Sequence, residues 1–422
     1  MQKNIHFIGI GGIGTSALAQ IFNKQGHKIS GSDQNCSAIT NSLKRAGVKV
    51  SIGHSAQNIK KSHDLVIYSP AIPTNNPELQ AAKKLKIKCQ SYPEALGDLT
   101  KNYYTIAIAG THGKSTTTAM TALALKKLDP TVVIGTKVPQ FRNRNYRVGK
   151  SKYLIIEACE YRESFTHFHP NLLIITNIEA EHLDYFKNLT NYKKTFEKLV
   201  QKVPKDGQII INGNDKNSVE VSKKAKCKVI KWQTPISLKL RVPGKFNLEN
   251  ASSAYKAAIE LKLKPKEIKQ SLENFKGTWR RMEKKVTKLA NLEFIDDYGH
   301  HPTEIKVTLK AIRETHQRAK ILCVFQPHQY SRTKHLLKDF GAAFKSVNQV
   351  IIPNIYRVRD SEEDLKSVST DDLVKEIKKS GTDAKNGEGL KNTANYIRSN
   401  QKQYNLVVTM GAGDISKIYK YL

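Results

Sequence analysis

An α/β protein of three domains, built on mostly parallel sheets, is what this sequence predicts from three observations. Short apolar runs of strand character alternate with amphipathic helical segments from one end to the other, which is the order of βαβ units. The chain has 422 residues, more than one hydrophobic core usually serves. KYLIIEACE and LLIITNI are brief apolar runs of the kind buried inside parallel sheets, with helices on both faces.

The first domain is expected over residues 1–98. IHFIGI reads as a strand, TSALAQIFNKQG as a helix closing at Gly26, HKISGSD as the next strand and DLVIYSPAIP as another. The second domain is expected over residues 99–284, opening with the strand YYTIAIAG and the helix behind it, then KYLIIEACE and LLIITNI. The third is expected over residues 285–422, with LEFIDDYGHHP, ILCVFQPHQYSRT, VIIPNIY and NLVVTMGAGDI as strands with their loops, and a helix to finish. In each case an apolar run ends in glycines or in polar, chemically capable residues. Ligands of open α/β sheets bind outside the carboxyl ends of strands, so function is expected in these loops.

Two glycine loops are informative. Gly9-Ile10-Gly11-Gly12-Ile13-Gly14 fits G-x-G-x-x-G between a strand and a helix, and Asp33 ends the following strand. Glycines let a backbone approach a pyrophosphate, and the helix N-terminus favours its charge. The first domain is therefore Rossmann-like, but the loop specifies a diphosphate and suits UDP as well as NAD. Gly110-Thr111-His112-Gly113-Lys114-Ser115-Thr116 follows the strand YYTIAIAG and opens a helix, so the central domain is P-loop ATPase-like. Backbone N–H groups there can wrap a triphosphate, Lys114 can reach its β- and γ-oxygens, and the Ser115 hydroxyl can ligate Mg²⁺. The full Walker pattern is absent, since Ile108 takes the place of its leading glycine. A dehydrogenase has no use for this second loop, whereas a kinase or ligase does.

With those residues in view, the chain resembles the Mur ligases along all three domains. AGTHGKSTTT, TNIEAEHLDYF, GKFNLENASSA, GTWRRMEK, IDDYGHHPTE, VFQPHQYSRT and VVTMGAGDI are each similar to family segments, with the spellings of the alanine-adding members. The resemblance implies ATP-dependent ligation of L-alanine to the lactyl carboxylate of UDP-N-acetylmuramate through an acyl phosphate, in peptidoglycan precursor synthesis. It also implies a UDP-sugar site at Gly11, Gly12, Ile13, Gly14, Asp33 and Ser69 in the first domain, and a C-terminal Rossmann-like domain carrying the amino acid. It assigns the ATP loop Gly110–Thr116, and Asn247, Asn250, Arg281 and Asp297, to ATP. Ser115 would serve one Mg²⁺, and Glu157 with His182 a second; Glu160 is read as a cap or an ion-pair partner. Lys114, Glu157, His182, His300 and Arg332 are the expected catalytic set, with His300 lining the alanine pocket and Arg332 pairing with its carboxylate. Two departures stand out: Gln329, where some relatives carry arginine, and Cys159, Tyr161 and Arg162, which replace Asp, Ser and Asp. The first bears on strict alanine selection over glycine or serine, the second on contacts near the muramic acid.

Composition narrows the alternatives. Seventy Lys and Arg against 37 Asp and Glu leave +33, a balance that invites a nucleic-acid reading. The lysines are spread along helices rather than gathered in an arm, and no nucleic-acid motif accompanies them, so the charge is read as attraction for anionic nucleotides. No run of about 18 apolar residues offers a membrane span, and the opening MQKNIHFIGIGGIG passes from a strand straight into glycines without a signal-peptide pattern. Five scattered cysteines without a C-x-x-C pair suggest a reducing compartment. A cytoplasmic enzyme, monomeric or weakly dimeric, is expected. The alternatives are a recycling ligase that attaches a murein peptide to the same sugar nucleotide, an NAD-dependent oxidoreductase and a basic nucleic-acid-binding protein.

Overall fold

The computed structural model describes residues 2–358 and 360–422. They form two compact units, Met1–Leu240 with Leu248–Lys276, and Arg241–Asn247 with Gly277–Leu422. The first unit holds two sheets and the second holds one.

The first sheet contains β1 (Asn4–Ile8), β2 (Lys28–Asp33), β3 (Lys49–Ile52), β4 (Leu65–Tyr68) and β5 (Lys88–Ser91), all parallel in the order β3-β2-β1-β4-β5. Strand order reverses on either side of β1, so the glycine loop after β1 lies at a switch point, where crossovers part and leave a crevice. The helix behind that loop runs Ile13–Lys24, two residues earlier at each end than expected from its apolar spacing.

The second sheet contains β6 (Tyr104–Ala109), β7 (Thr131–Val138), β8 (Arg144–Arg147), β9 (Tyr153–Glu157), β10 (Leu172–Ile175), β11 (Gln208–Asn212) and β12 (Lys228–Trp232). Their order is β12-β11-β10-β6-β9-β7-β8. Every residue of β10 is fully buried, as expected for a strand with helices on both faces. The sheet is not wholly parallel: β8 pairs antiparallel with β7 at one edge. A short loop between the two permits a hairpin there, whereas a parallel pair needs a crossover.

The third sheet contains β13 (Glu283–Lys285), β14 (Glu293–Asp297), β15 (Ile321–Phe325), β16 (Gln349–Ile352), β17 (Asp383–Asn386) and β18 (Leu406–Met410), in the order β13-β14-β18-β15-β16-β17. Its edge pair β13 and β14 is again antiparallel. This unit takes up the chain at Gly277, ahead of the division placed at 284. The expected closing α-helix is instead a 3-10 segment, Ile415–Lys420. Ile415 and Ile418 are both fully buried, and a three-residue repeat brings side chains at i and i+3 onto one line.

Inside the first unit the two sheets pack through close contacts. The Asn145 side-chain amide donates to the carbonyl of Ile13. In the helix Tyr92–Thr100, a Cβ built on Gly97 would lie 2.5 Å from the carbonyl oxygen of His167. Alanine normally gains about 1 kcal/mol over glycine within a helix, but here it would meet backbone that has little room to shift. Gly97→Ala is expected to destabilise the fold by about 1–3 kcal/mol, as overpacking does. Chemical denaturation measures it, and a stabilised variant would mean that the His167 segment yields.

Candidate active site

The loop Gly110–Gly113 joins β6 to the helix Lys114–Ala124, at the centre of the second sheet where strand order reverses. Its backbone needs glycine at two points. Gly110 has φ +136°, and a Cβ there would stand 2.0 Å from Thr176 Oγ1; Gly113 has φ +80°, and its Cβ would stand 2.4 Å from Asn250 Oδ1. Asn250 is in turn bonded by the Thr117 hydroxyl at 3.1 Å. The segment after β10 grips the loop from outside. Asn177 Oδ1 accepts from the His112 N–H at 2.9 Å, and the carbonyl of Asn177 accepts from the Thr111 N–H at 2.9 Å. The His112 Nε2 and Glu179 Oε2 are 2.9 Å apart. Thr116 is buried in the first helical turn. The helix N-terminus opens directly from this braced loop, an arrangement suited to phosphate.

Lys114 folds back on this loop. Its Nζ donates to the carbonyls of Gly110 and Thr111 and lies 3.0 Å from Glu160 Oε2, with its side chain 14% exposed. Burial works against the ammonium, but Glu160 and then Glu181 more than offset it, holding its pKa above the ordinary lysine value. Glu160 is therefore an ion-pair partner, and it is also more: Glu160, Glu181 and His182 bring ligand atoms within 4.8 Å of one another. Two carboxylates and an imidazole, the carboxylates both buried, are a donor set fit for a hard divalent cation that keeps some water. Glu157 is engaged elsewhere: its two oxygens accept from the Ser115 hydroxyl at 2.9 Å each, and Oε2 accepts from the Gly135 N–H at 2.7 Å.

The segment that departs from the family pattern builds one wall. Arg162 and Glu163 both adopt left-handed backbone, φ +51° and +56°. The Tyr161 ring lies 4.7 Å from the His182 ring, and the Arg162 guanidinium stands 5.6 Å over Tyr161. His182 is itself left-handed, at φ +53°. Such backbone costs about 1–3 kcal/mol per residue and persists where surrounding contacts over-determine it.

In the first sheet, the acidic residue of the glycine motif holds the loop itself. Asp33 Oδ2 accepts from the Gly11 N–H at 2.8 Å. Gly12 caps the helix that Ile13 and Gly14 begin, and a Cβ on Gly14 would lie 2.6 Å from the Tyr92 ring. Ser69 sits across the loop, its Cβ 3.0 Å from the position of a Cβ on Gly9. Tyr92 was not singled out from sequence. Burial raises the pKa of its hydroxyl, and Glu157 adds to the effect.

The second unit gathers its polar residues ahead of β13, at the end of β14 and in the segments after β14 and β15. Asp297 is buried, with its oxygens accepting from the Met282 and Gly299 N–H groups at 2.8 and 2.7 Å. Arg281 reaches Glu304 at 3.6 Å and stands over the Tyr298 ring at 5.3 Å. His300 Nδ1 is 3.4 Å from Glu304 Oε2, and its ring is 6.1 Å from that of His328. Asn247 donates to the carbonyl of Pro243 at 2.6 Å. Arg332 lies in the helix Tyr330–His335, and Gln329, just ahead of that helix, donates from Nε2 to the Val358 carbonyl at 3.2 Å. The neighbours of two named residues carry the buried charge: Arg280 Nε donates to Asp296 Oδ2 at 2.8 Å, both fully enclosed.

Comparison with known proteins agrees with this layout. The Mur ligase family, catalytic domain, matches residues 4–104; the Mur ligase middle domain matches 108–236; and the Mur ligase, glutamate ligase domain, matches 280–413. The chain is 41% identical to a UDP-N-acetylmuramate–L-alanine ligase of Clostridium botulinum, covering 99% of this chain and 96% of the relative. It is 39% identical to the enzyme of the same name from Acetivibrio thermocellus, over 99% and 94%. The crystal structure of a UDP-N-acetylmuramate–alanine ligase from Thermotoga maritima superposes with a TM-score of 0.82 at 28% identity, covering 99% of this chain and 98% of that one.

The cluster of Glu160, Glu181 and His182 makes a direct prediction. Glu181→Gln and His182→Ala should each weaken Mn²⁺ binding by about tenfold or more, read by electron paramagnetic resonance of the free ion. Glu157→Gln should leave that binding within about twofold. The reverse pattern would move the ion to Ser115 and Glu157.

Proposed function

The chain belongs to the Mur ligase family, and we propose that it joins L-alanine to the lactyl carboxylate of UDP-N-acetylmuramate, converting ATP to ADP and phosphate, for peptidoglycan precursor synthesis. The end-to-end likeness to alanine ligases supports the choice of substrates. One observation carries the chemistry: a lysine held charged at the head of a helix, behind a glycine loop and beside carboxylates. A phosphoryl group passing between anions needs that cation aimed where charge develops.

A carboxylate oxygen of the sugar attacks the γ-phosphorus, ADP departs, and the acyl phosphate that forms is attacked at carbon by the alanine amine. The nitrogen loses a proton as the amide forms and phosphate leaves. Backbone N–H groups of Gly110–Thr116 wrap the triphosphate. Lys114 exchanges its loop carbonyls for phosphate oxygens and offsets their repulsion of the incoming carboxylate. Asn247, Asn250, Arg281 and Asp297 are assigned to ATP, and Gly11, Gly12, Ile13, Gly14, Asp33 and Ser69 to the UDP-sugar. His300 and Arg332 receive alanine, with the guanidinium fork matching its carboxylate. Mg²⁺, when bound, would supply positive charge to phosphate and carboxylate oxygens; Glu160, Glu181 and His182 would hold one ion and the Ser115 hydroxyl would serve another, while Glu157 keeps its bonds to Ser115 and the Gly135 N–H. Among the described residues no helix is long and apolar enough to cross a membrane, and with nucleotide-linked substrates we place the reaction in the cytoplasm.

Phosphate release from ATP with UDP-N-acetylmuramate and L-alanine, glycine or L-serine in turn tests the reading; release that requires none of them would overturn it. Lys114→Ala is expected to lower kcat by about 100- to 1000-fold, the scale of one lost electrostatic contact to the transition state. UDP-sugar affinity measured by calorimetry should stay unchanged. Arg332→Lys should raise the KM for L-alanine by about tenfold or more, because an ammonium cannot reproduce the two parallel donors, while the KM values for ATP and UDP-sugar hold.

A further inference from the structure

We propose that Glu78 is a positioning residue for the nucleotide loop of the first sheet, acting through Ser32. The proposal rests on the reading that this loop takes the UDP-sugar.

Glu78 lies in the first turn of the helix Pro77–Lys84, and its residue is fully buried. A carboxylate in that position is costly unless its oxygens are satisfied. Four donors do so, and none of them is a lysine or arginine. The Ser32 hydroxyl donates at 2.5 Å, His54 Nδ1 stands at 3.1 Å, the Ser55 N–H at 3.5 Å, and the Asn58 amide donates as well. These donors come from the end of β2 and from the segment after β3. One carboxylate thus ties together two of the loops at the carboxyl edge of the sheet.

Ser32 passes the constraint to the glycine loop. Its carbonyl accepts from the N–H groups of Gly9 and Ile10, both at 2.9 Å. Its neighbour Asp33 accepts from the Gly11 N–H with its side chain and from the Gly53 N–H with its carbonyl, each at 2.8 Å. Three consecutive N–H groups of the loop are therefore anchored to two residues, and the first of these is held from behind by Glu78. The anchoring takes those N–H groups out of use and leaves the start of the helix at Ile13 to face a phosphate. A diphosphate bound there meets donors already fixed, so the ordering cost that a loose loop would add to binding is avoided. His54 Nδ1 also stands 3.1 Å from the Ser32 hydroxyl, which donates to the same Glu78 oxygen. The three side chains make a clamp, since both of these His54 contacts run through one imidazole nitrogen.

Ser32→Ala cuts the link between Glu78 and β2 and leaves the other three donors in place. It is expected to raise the KM for UDP-N-acetylmuramate about tenfold, on the scale of one hydrogen bond to a charged group, with kcat and the KM values for ATP and L-alanine within about twofold. Glu78→Gln should raise the same KM. In the double variant the two effects should fall well short of multiplying, since one link is cut once. Thermal unfolding is recorded alongside. A lowered Tm with an unchanged KM in Ser32→Ala would show a structural role only and overturn the proposal; Ser32→Ala suffices for this if Glu78→Gln fails to fold. Gly11→Ala separates the proposal from the reading beneath it. If Gly11→Ala raises the UDP-sugar KM and Ser32→Ala does not, the proposal fails and the site stands. If Gly11→Ala also leaves that KM unchanged, the site itself is misplaced and the proposal falls with it.

Discussion

Enclosing the ammonium of Lys114 requires compensation, and much of the central sheet's active edge is arranged to provide it. A buried ion without partners costs several kcal/mol, so Glu160 stands 3.0 Å away and Glu181 adds its field. Placing Glu160 there directly after β9 demands a sharp change of direction, and the chain makes it through two left-handed residues, Arg162 and Glu163. Phe165, fully buried against Phe196 at 5.1 Å, and the Lys198–Glu163 pair hold that turn closed. His182 Nε2 stands 3.7 Å from the same carboxylate, and its own backbone is left-handed as well. Three strained residues thus surround one buried carboxylate, where contacts can over-determine them.

The sheets use a common plan to opposite electrostatic ends. After β1 and β6 the chain leaves a central strand through glycines and enters a helix, which presents N–H groups to anions. At the corresponding edge of the third sheet the polar groups are side chains, as in Arg281 ahead of β13 and in His300 and Glu304 after β14. Three strands of that sheet are neighbours in the order β14-β18-β15 although β18 comes last in the chain. Residues more than a hundred positions apart therefore meet at one edge, as Arg280 does with the carbonyl of Gly411 at 2.7 Å.

What was legible in the sequence was whatever a short window contains. Both glycine loops and their flanking strands follow from spacing, because the turn and the helix start are both local. Contacts closed by the fold were not. Glu78 sits in PELQAAKK, an unremarkable amphipathic segment, and its hydroxyl partner lies 46 residues earlier. Arg280 and Arg281 are adjacent and of one type, as are Asp296 and Asp297. Both aspartates are buried, and only the pleat of β14, which turns successive side chains to opposite faces, decides that Asp296 meets Arg280 while Asp297 accepts from backbone N–H groups. Glu181 gave no signal beyond an acidic neighbour of His182. The edge strand RNYR is polar throughout, so neither alternation nor an apolar run announced it.

Gln329 holds φ +75° at the head of the helix Tyr330–His335, with its N–H bonded to the Tyr356 carbonyl at 3.0 Å. With ψ +132° this backbone lies outside both the left-handed helical well and the ordinary extended region, a strain that persists only where surrounding contacts sustain it. The side-chain bond to the Val358 carbonyl and the backbone bond to the Tyr356 carbonyl both reach the segment that follows β16, so this one residue is tied to it twice. Position 329 is in this sense a rivet: a change of side chain there loosens one of the two bonds and leaves the other to hold the start of the helix in place.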